Sequence, residues 1–528
     1  MFNKISAYRW LLLLFMLMPG VYVVAQKNKV CNVLEYGIVG DSIVNNTTAI
    51  QKLIDDCSAK GGATILFPKG QYIAGTILLK NNITLLIEEG ASLIGSTDIN
   101  DYQLVDPFKT GNGASMGYCF IGAVDAVNVS VTGKGRINGM GKTLLDIAGK
   151  SKRPFLMRFV RTTGITVKDV FLTNSAAWTC HFFASKNIQI SGVSIYCKGL
   201  GNNDGFDIDC SQNVTISNCD VNTGDDALCF KTTWSKMPCK NIVVRNMRLS
   251  SNHAGIKWGT ESMAAFENIK ISNVYIYDTR NGGIKMNSVD GAQIRNVEIT
   301  DVEMSNVRTP VLIRLGARLT VFRKEQDSRQ PVGTIENIVF RNIKMKAAAD
   351  AQLKPPTGIL ITGIPDHYIK NITLQNIQLS IVGGGNAELV TQIVPEAEKE
   401  YPEVRLFAPA VPAVGIWARH VKGLTISGFS LQTEYPDFRP AIFGEDVANT
   451  SITNSDLPVA DSALAVVVLK DAVQALIENN KGKGNSKAIV HIAGTVNDRI
   501  TIGRNTFNAV KKYSLEGTVE KNSIIIKN

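Results

Sequence analysis

The chain has 528 residues, of which 45% are hydrophobic and 19% charged, with 45 glycines and 17 prolines. This composition excludes a disordered or collagen-like chain and leaves ample length for a hydrophobic core. The formal net charge of +10 is compatible with an anionic partner but does not by itself indicate one.

The first 25 residues are typical of a secretory signal peptide. A charged start at Lys4 and Arg9 precedes the apolar residues 11–18, and a small-residue cleavage site ends at Ala25. The apolar stretch is too short to cross a bilayer, and no later apolar run reaches the roughly 18 residues that a membrane helix needs. We therefore predict a secreted or periplasmic protein without a membrane span, in which residues 26–528 form one domain.

The nine cysteines allow one or two disulfides in an oxidising compartment. Six of them lie between Cys180 and Cys239, with neither a CxxC pair nor a histidine at zinc-binding spacing. We interpret the cysteines mainly as small buried residues and predict no metal and no cofactor.

The first predicted element after the signal peptide is an amphipathic helix over residues 46–60. Gly61 and Gly62 stop it, and its apolar residues recur at helical spacing along one stripe. This stripe consists of Ile50, Leu53, Ile54 and Cys57. This pattern is typical both of an ordinary surface helix and of a helix that caps a stacked core.

A short pattern then recurs along the chain, in which Asn or Gly is followed by alternating apolar residues. Period-two alternation predicts short strands with one buried face, and Asn or Gly at each boundary suits a bend with a positive φ angle. From 164 to 268 the copies are separated by 23, 26, 28 and 27 residues. The copies start at Gly164, Asn187, Asn213, Asn241, Asn268, Asn337, Asn371 and Gly423, with weaker ones at Asn82 and Asn128.

Single coils of this length cannot bury their apolar face alone, so neighbouring coils must stack. We predict an all-β protein, a single-stranded right-handed parallel β-helix whose first coil is capped by the helix at 46–60. A leucine-rich repeat lacks support because its LxxLxL signature is missing. A sandwich of hairpins is the main rival, although two-residue hairpin turns are scarce.

One irregular segment, residues 383–409, interrupts the repeat. It contains Pro395 and Pro402 together with several glutamates. We interpret it as an inserted loop rather than a second domain.

The densest polar cluster lies at two consecutive coils. The first part is the stretch Asn202–Asp207, and the second is Gly224-Asp225-Asp226. Asp204 and Asp225 are 21 residues apart, close to one coil, so we expect these carboxylates to face one groove. Acids held close together suit general acid and base chemistry, because a raised pKa keeps one of them protonated. The alternative is that Asp and Gly simply form turns.

Basic residues follow apolar ones in four successive coils, at spacings of 26, 28 and 29 residues. Stacked charges of one sign destabilise a sheet unless anions intervene, so these residues predict either a bound polyanion or a ladder of solvated side chains. They are Lys231, Lys257, Lys285 and Arg314.

These motifs resemble glycoside hydrolase family 28, the polygalacturonases and rhamnogalacturonan hydrolases. The resemblance covers roughly residues 30–450 and implies a right-handed parallel β-helix that hydrolyses glycosidic bonds with inversion of configuration. Besides the two acidic motifs, it is carried by Val33–Gly37, Thr48–Gln51, Gly61-Gly62, Phe67–Gly70 and Asn174–Thr179.

By this resemblance, Asp226 is the general acid that protonates the leaving oxygen, and Asp204 and Asp225 activate a water on the opposite face. An inverting pair of carboxyl groups requires a gap of about 6.5–9.5 Å to admit this water. Lys285 matches the family lysine that holds the uronate carboxylate of the substrate. The resemblance implies no metal.

The chain departs from the family pattern at two substrate-binding motifs. Ala254 stands in the place of the family's histidine, and His253 is displaced by one residue, which should turn it to the other face of the strand unless a bulge intervenes. The arginine of the family's Arg-Ile-Lys motif is missing, because the sequence here is Gly283-Ile284-Lys285. We expect Lys257, Glu261 and Arg314 to take over substrate binding. His253 is a further candidate for contact with the substrate.

The expected function is a secreted inverting glycoside hydrolase that acts on an acidic, pectin-type polysaccharide or its oligosaccharides. We expect a monomer without a nucleic-acid partner. Two alternatives remain open: a pectate-lyase-like eliminase, and a carbohydrate-binding solenoid without catalysis. Trp258 suits either a sugar platform or an inward-facing core position.

Overall fold

The computed structural model describes residues 29–111, 113–149, 152–517, 519 and 523–527. The predicted signal peptide at 1–25 lies outside these residues. Within the described part of the chain, no helix is long and apolar enough to cross a bilayer.

Alternating apolar residues form short strands that stack coil upon coil into three parallel sheets. In one sheet Phe206 pairs with Leu228, and in the next Val214 pairs with Ile242. In the third sheet Val221 pairs with Leu249. The fold is a right-handed parallel β-helix, as predicted. An antiparallel hairpin of Gln103–Lys109 and Ser115–Val124 packs against the early coils.

The two α-helices are Thr47–Ala59 and Gly141–Ala148, and the 3-10 helices are Val33–Tyr36, Ile99–Asp101, Ala387–Thr391 and Val404–Phe407. The strands of the first half are Val30–Asn32, Asp41–Asn45, Ala63–Phe67, Gly70–Ala74, Ile77–Leu79, Ile83–Ile87, Ala91–Gly95, Gln103–Lys109, Ser115–Val124, Val127–Thr132, Arg136–Asn138, Phe155–Val160, Thr163–Lys168, Phe171–Thr173, Cys180–Phe183, Lys186–Ser191, Ser194–Cys197, Phe206–Asp209, Gln212–Thr223, Leu228–Thr232, Cys239–Ser251 and Ala254–Ser262. Those of the second half are Phe266–Thr279, Gly282–Ser288, Gln293–Val307, Val311–Leu315, Thr334–Ala347, Ile359–Thr362, Ile369–Gly383, Ile416–Tyr435, Ile442–Thr453, Ala465–Glu478, Ala488–Ala493, Asp498–Gly503, Lys511–Leu515 and Ile524–Lys527.

The asparagines at the repeat boundaries have the predicted positive φ angles. Asn187 and Asn213 both have a φ of 57°, a region that asparagine tolerates better than most residues. Their side chains also form a ladder between coils, in which Asn213 Nδ2 donates to Asn187 Oδ1 at 3.0 Å and Asn241 Nδ2 to Asn213 Oδ1 at 3.1 Å. The repeated residue therefore both bends the chain and connects the stacked coils.

The inside of the coil is a continuous apolar core. Trp258 is fully buried in it, with its ring centroid 4.9 Å from that of Phe230. The interpretation of Trp258 as a core residue is confirmed, and it is not a sugar platform.

The first helix covers the start of the solenoid, as predicted. Its apolar stripe, from Ile50 to Cys57, is buried against the strands Ala63–Phe67, Ile77–Leu79 and Ile83–Ile87. All nine cysteines lie within the described residues, where each is buried and unpaired, as the sequence interpretation expected.

Candidate active site

The turns that lead into one of the three sheets place the acidic motifs side by side. Phe206 pairs with Leu228, and the backbone N–H of Gly205 donates to the carbonyl of Asp226 at 2.9 Å. Asp226 therefore lies one coil above Asp204, and Asp225 is offset by one residue. The strands of this sheet, called the site sheet below, include Phe206–Asp209, Leu228–Thr232, Ala254–Ser262, Gly282–Ser288 and Val311–Leu315.

The glycine of the Gly-Asp-Asp motif is required by close packing of two coils. A Cβ atom on Gly224 would lie 1.7 Å from the carbonyl oxygen of Leu200. The N–H of Gly224 donates to Asn203 Oδ1 at 3.1 Å. The motif is thus a tight turn, and this turn brings the two following aspartates to the outer face.

The three aspartates line one cavity of about 210 Å³. The three carboxylates lie at different depths. The side chains of Asp204 and Asp226 are 4% and 2% exposed, whereas that of Asp225 is 17% exposed. The lining residues are Thr110, Trp178, Asn202, Asp204, Asp225, Asp226, Lys231, His253, Lys257, Thr260, Glu261 and Tyr401.

Lys231 forms the base of the cavity. Its Nζ lies 3.3 Å from Asp204 Oδ2, 3.5 Å from Asp207 Oδ1 and 3.4 Å from Glu261 Oε2. The same ammonium lies 4.2 Å from the ring centroid of Trp178, a favourable cation–π distance. One buried cation therefore holds three carboxyl groups together.

Lys257 engages the third aspartate. Its Nζ donates to Asp226 Oδ2 at 2.8 Å, and the backbone N–H of Ala254 donates to Asp226 Oδ1 at 3.1 Å. Ala254, which the resemblance places at the position of a family histidine, thus contributes to the site through its backbone.

These contacts give the carboxyl groups different ionisation. Burial raises the pKa of Asp204 to about 7, against the opposing effect of Lys231. Burial also opposes ionisation of Asp226, but Lys257 outweighs it, with help from His253 and Lys231, and lowers the pKa of Asp226 to about 2. Asp226 is therefore ionised in the free site, which is the opposite of what its expected role as general acid requires.

His253 faces the cavity, and the expectation that it points to the other face is wrong. It lies in the turn before the strand Ala254–Ser262, where the strict alternation of a strand does not apply. Its Nδ1 is 3.6 Å from Asp225 Oδ1 and 3.1 Å from Asn281 Nδ2. Asp225, His253 and Asn281 thus occupy equivalent turn positions on successive coils.

The predicted column of four cations is only half correct. Lys257 and Lys285 pair in register. Lys231 and Arg314 are each displaced from that register by two residues along their strands. A shift of two keeps a side chain on the same face but moves it out of the column, and sequence spacing does not reveal it.

Two predicted substrate-binding residues do not line the cavity. Lys285 is buried, and its Nζ donates to Glu403 Oε2 at 2.8 Å. Arg314 is also buried and donates to the carbonyls of Glu396 and Ala397 at 2.6 and 2.9 Å. Both cations are engaged by the inserted segment, residues 383–409, whereas His253, Lys257 and Glu261 do line the cavity.

Two groups of side chains in the described residues come close enough to share a cation. One comprises Asp204, Asp207 and Cys229, and the other Asp225, Asp226 and His253. Lysine ammonium groups already lie against acids of both groups, as described above. The arrangement can therefore balance its carboxylates with its own cations.

Sequence reasoning missed several lining residues. Trp178 lies within the motif Asn174–Thr179, so a signal for it was present. Tyr401 lies in the inserted segment, which has no repeat and hence no register from which its position follows. Thr110 belongs to the loop of the hairpin Gln103–Lys109/Ser115–Val124, where Gly111 N–H donates to Glu261 Oε1 at 2.7 Å.

Comparison with known proteins places this arrangement in a family. A family model described as "Glycosyl hydrolases family 28" matches residues 57–397, more than half of the chain. A probable polygalacturonase of Vitis vinifera is 27% identical over 364 residues, which cover 64% of this chain and 74% of that protein. An endo-polygalacturonase of Pectobacterium carotovorum subsp. carotovorum is 25% identical over 366 residues, covering 62% and 87%.

The fold is shared with solved structures of lower sequence similarity. The family 28 exopolygalacturonase of Yersinia enterocolitica superposes with a TM-score of 0.61 at 19% identity, covering 77% of this chain and 76% of that one. This likeness concerns the β-helix alone.

Proposed function

The chain belongs to the glycosyl hydrolases family 28 and is a glycoside hydrolase, and from this we propose that it is a secreted enzyme that cleaves an acidic, galacturonate-containing pectin-type polysaccharide or its oligosaccharides. The names of its relatives support this substrate class, since two of them are described as polygalacturonases.

One observation carries the proposal: three aspartates and two lysines share a single cavity. Carboxyl groups that differ in ionisation supply the acid and the base that glycoside hydrolysis requires. Lys231 and Lys257 offset the charge of these carboxyl groups, so that the acids can lie together in a mostly buried setting.

The different ionisation of Asp204 and Asp226 assigns these two acids different roles. Asp226, which is ionised, suits the activation of water. The proton for the leaving oxygen then comes from Asp204, because burial raises its pKa to about 7. Asp225 lies at the mouth of the cavity. We retain His253, Lys257 and Glu261 as the substrate-binding residues and withdraw Lys285 and Arg314.

The proposed activity is tested on pectic fractions with the wild-type protein and Asp226→Asn. Hydrolysis predicts new reducing ends without the absorbance of an unsaturated uronide, and the variant should lose them. Unsaturated products would instead favour the eliminase, and binding without products would favour the non-catalytic solenoid.

We expect the first-formed product to have the anomeric configuration opposite to that of the cleaved linkage. Inversion rests on the family resemblance. Proton NMR during the first minutes of hydrolysis, before mutarotation, measures the anomer directly. A product that retains the configuration would refute this prediction.

Activity is expected to fall as the pH rises through about 7, if Asp204 donates the proton. The folded-state pKa of Asp204, about 7, lies above its ordinary value of 3.8. Asp204 therefore stays protonated to a higher pH in the folded protein than in the unfolded chain. Raising the pH from 3.8 to about 7 should therefore also lower the free energy of unfolding.

The measurement is a kcat profile against pH, together with thermal melts of wild type and Asp204→Asn over the same range. The melting temperature of the variant should depend less on pH than that of wild type. If the residual activity of Asp204→Asn falls over the same alkaline pH range as that of wild type, Asp204 is not the proton donor.

A further inference from the structure

The turns that precede the strands of the site sheet carry a row of side chains in contact with one another. His253 Nδ1 lies 3.1 Å from Asn281 Nδ2 on the next coil. Gln352 Nε2 donates to Asn281 Oδ1 at 2.7 Å. On the other side of His253, the same Nδ1 atom lies 3.6 Å from Asp225 Oδ1. Asn281, which is 7% exposed, therefore holds the imidazole of His253 beside the catalytic acids.

The contacts of Asn281 determine the orientation of its amide. Its oxygen accepts from Gln352, and its side chain also forms a hydrogen bond with the carboxylate of Glu403. Burial opposes ionisation of Glu403, but Lys285 and Lys257 outweigh it and lower the pKa of that carboxyl. An ionised carboxylate only accepts hydrogen bonds, so the NH2 group of Asn281 must face Glu403. A reversed amide would place its oxygen against this carboxylate.

This orientation determines which nitrogen of His253 carries the proton. Because the NH2 group of Asn281 donates, His253 Nδ1 must accept, and in the neutral imidazole the proton then lies on Nε2. Nδ1 consequently has no hydrogen to donate to Asp225, and their separation of 3.6 Å is longer than a hydrogen bond. Asp225 Oδ1 accepts instead from the backbone N–H of Asp226 at 3.0 Å.

The Nε2–H group gives His253 a hydrogen-bond donor for a sugar. The contacts of its imidazole with Asn281 and Asp225 both involve Nδ1. The side chain lines the cavity and is 39% exposed, so Nε2 is the nitrogen that a bound sugar can reach. Hydroxyl and carboxylate oxygens both accept from an N–H group, whereas the opposite tautomer would turn a lone pair toward them.

We propose that Asn281 is a positioning residue that makes His253 a hydrogen-bond donor to an acceptor oxygen of the bound sugar. This inference rests on the proposed function, in which His253 contacts the substrate. It assigns to Asn281 a role that is exerted through His253 alone, without contact between Asn281 and the reacting atoms.

The first test measures the tautomer of His253 in the free protein. Histidine is the only residue type labelled with 15N, and the chain has five histidines, so comparison with His253→Ala identifies the signal. At a pH where the imidazole is neutral, the wild type should carry the proton on Nε2. Asn281→Asp should move it to Nδ1, because a carboxylate accepts where the NH2 group donated. A wild-type His253 with its proton on Nδ1 would overturn the inference, whatever the activity of the enzyme.

The second test is a double-mutant cycle on oligogalacturonates. Asn281→Leu, which adds no charge, should raise KM about tenfold with little change in kcat, as expected when one hydrogen bond to a bound sugar is lost. In the His253→Ala background the same replacement should leave KM unchanged, because the residue through which Asn281 acts is missing.

Thermal melts establish that each variant of this cycle is folded, and the tautomer of Asn281→Asp tests the inference if Asn281→Leu does not fold. An equal rise in KM in both backgrounds, or a wild-type KM in Asn281→Leu, would overturn the inference. Absence of hydrolysis by the wild type on every pectic fraction would instead refute the proposed function, and the tautomer of His253 is measured independently of that outcome.

Discussion

Replacing Asp226 with asparagine is expected to lower kcat on the pectic substrate by about 10²–10⁴-fold, the usual contribution of a general acid or base. Asparagine keeps the size of the side chain but cannot accept a proton from water. Initial rates of reducing-end release at saturating substrate give the effect. The loss should appear in kcat more than in KM, because the carboxylate is proposed to act on the reacting water.

The control for this prediction is Asp220→Asn. Asp220 belongs to the preceding strand of the same coil, but its side chain is 53% exposed and pairs with Arg248 at the surface. This variant should retain the activity of wild type. Thermal melts of both variants must accompany the rate measurements. They show whether Asp226→Asn is folded, since this variant leaves the buried ammonium of Lys257 without its carboxylate. A folded Asp226→Asn protein with wild-type kcat would exclude Asp226 from the chemistry.

Replacing Arg439 with methionine is expected to lower the free energy of unfolding by about 3–5 kcal/mol, the usual result of leaving a buried charge without its partner. Arg439 is fully buried and forms a bidentate pair with Asp437, with distances of 3.0 and 2.8 Å. The guanidinium also donates to the carbonyls of Pro356 and Val411. It thus connects three loops beside the inserted segment.

Denaturant melts compare this variant with Arg504→Met. Arg504 is 62% exposed and pairs with Glu478 at 2.9 Å, so its loss should cost only about 0–1 kcal/mol. The double variant Arg439→Met/Asp437→Leu should be less destabilised than Arg439→Met alone, because it removes the orphaned carboxylate as well. Equal losses for Arg439→Met and Arg504→Met would contradict the prediction.

Local periodicity was enough to predict most of the fold. Alternating apolar residues indicated the strands, and boundary residues such as Asn187 and Asn213 indicated bends with positive φ. The stripe on the first helix indicated its buried face. These features depend on residues close in sequence, or on a repeat that returns after each coil, so a single sequence shows them directly.

The site was only partly predictable. The spacing of Asp204 and Asp225 correctly placed the three acids at one groove, because a coil of constant length superimposes its turns. The sequence did not show which acid holds a proton. That property depends on where the ammonium groups of Lys231 and Lys257 lie. A displacement by two residues along a strand moves an ammonium group but leaves its side chain on the same face of the sheet.

By itself, the amino-acid sequence determined the stacked coil, the cap and the acidic turns of this protein, since each follows from repeated short-range patterns. Only the tertiary structure decided the shape of the groove and which cations remain available to a substrate. The contact of Lys285 with Glu403 joins residues 118 positions apart, across a segment that has no repeat. Its position is set by packing on the finished sheet, which no local pattern records.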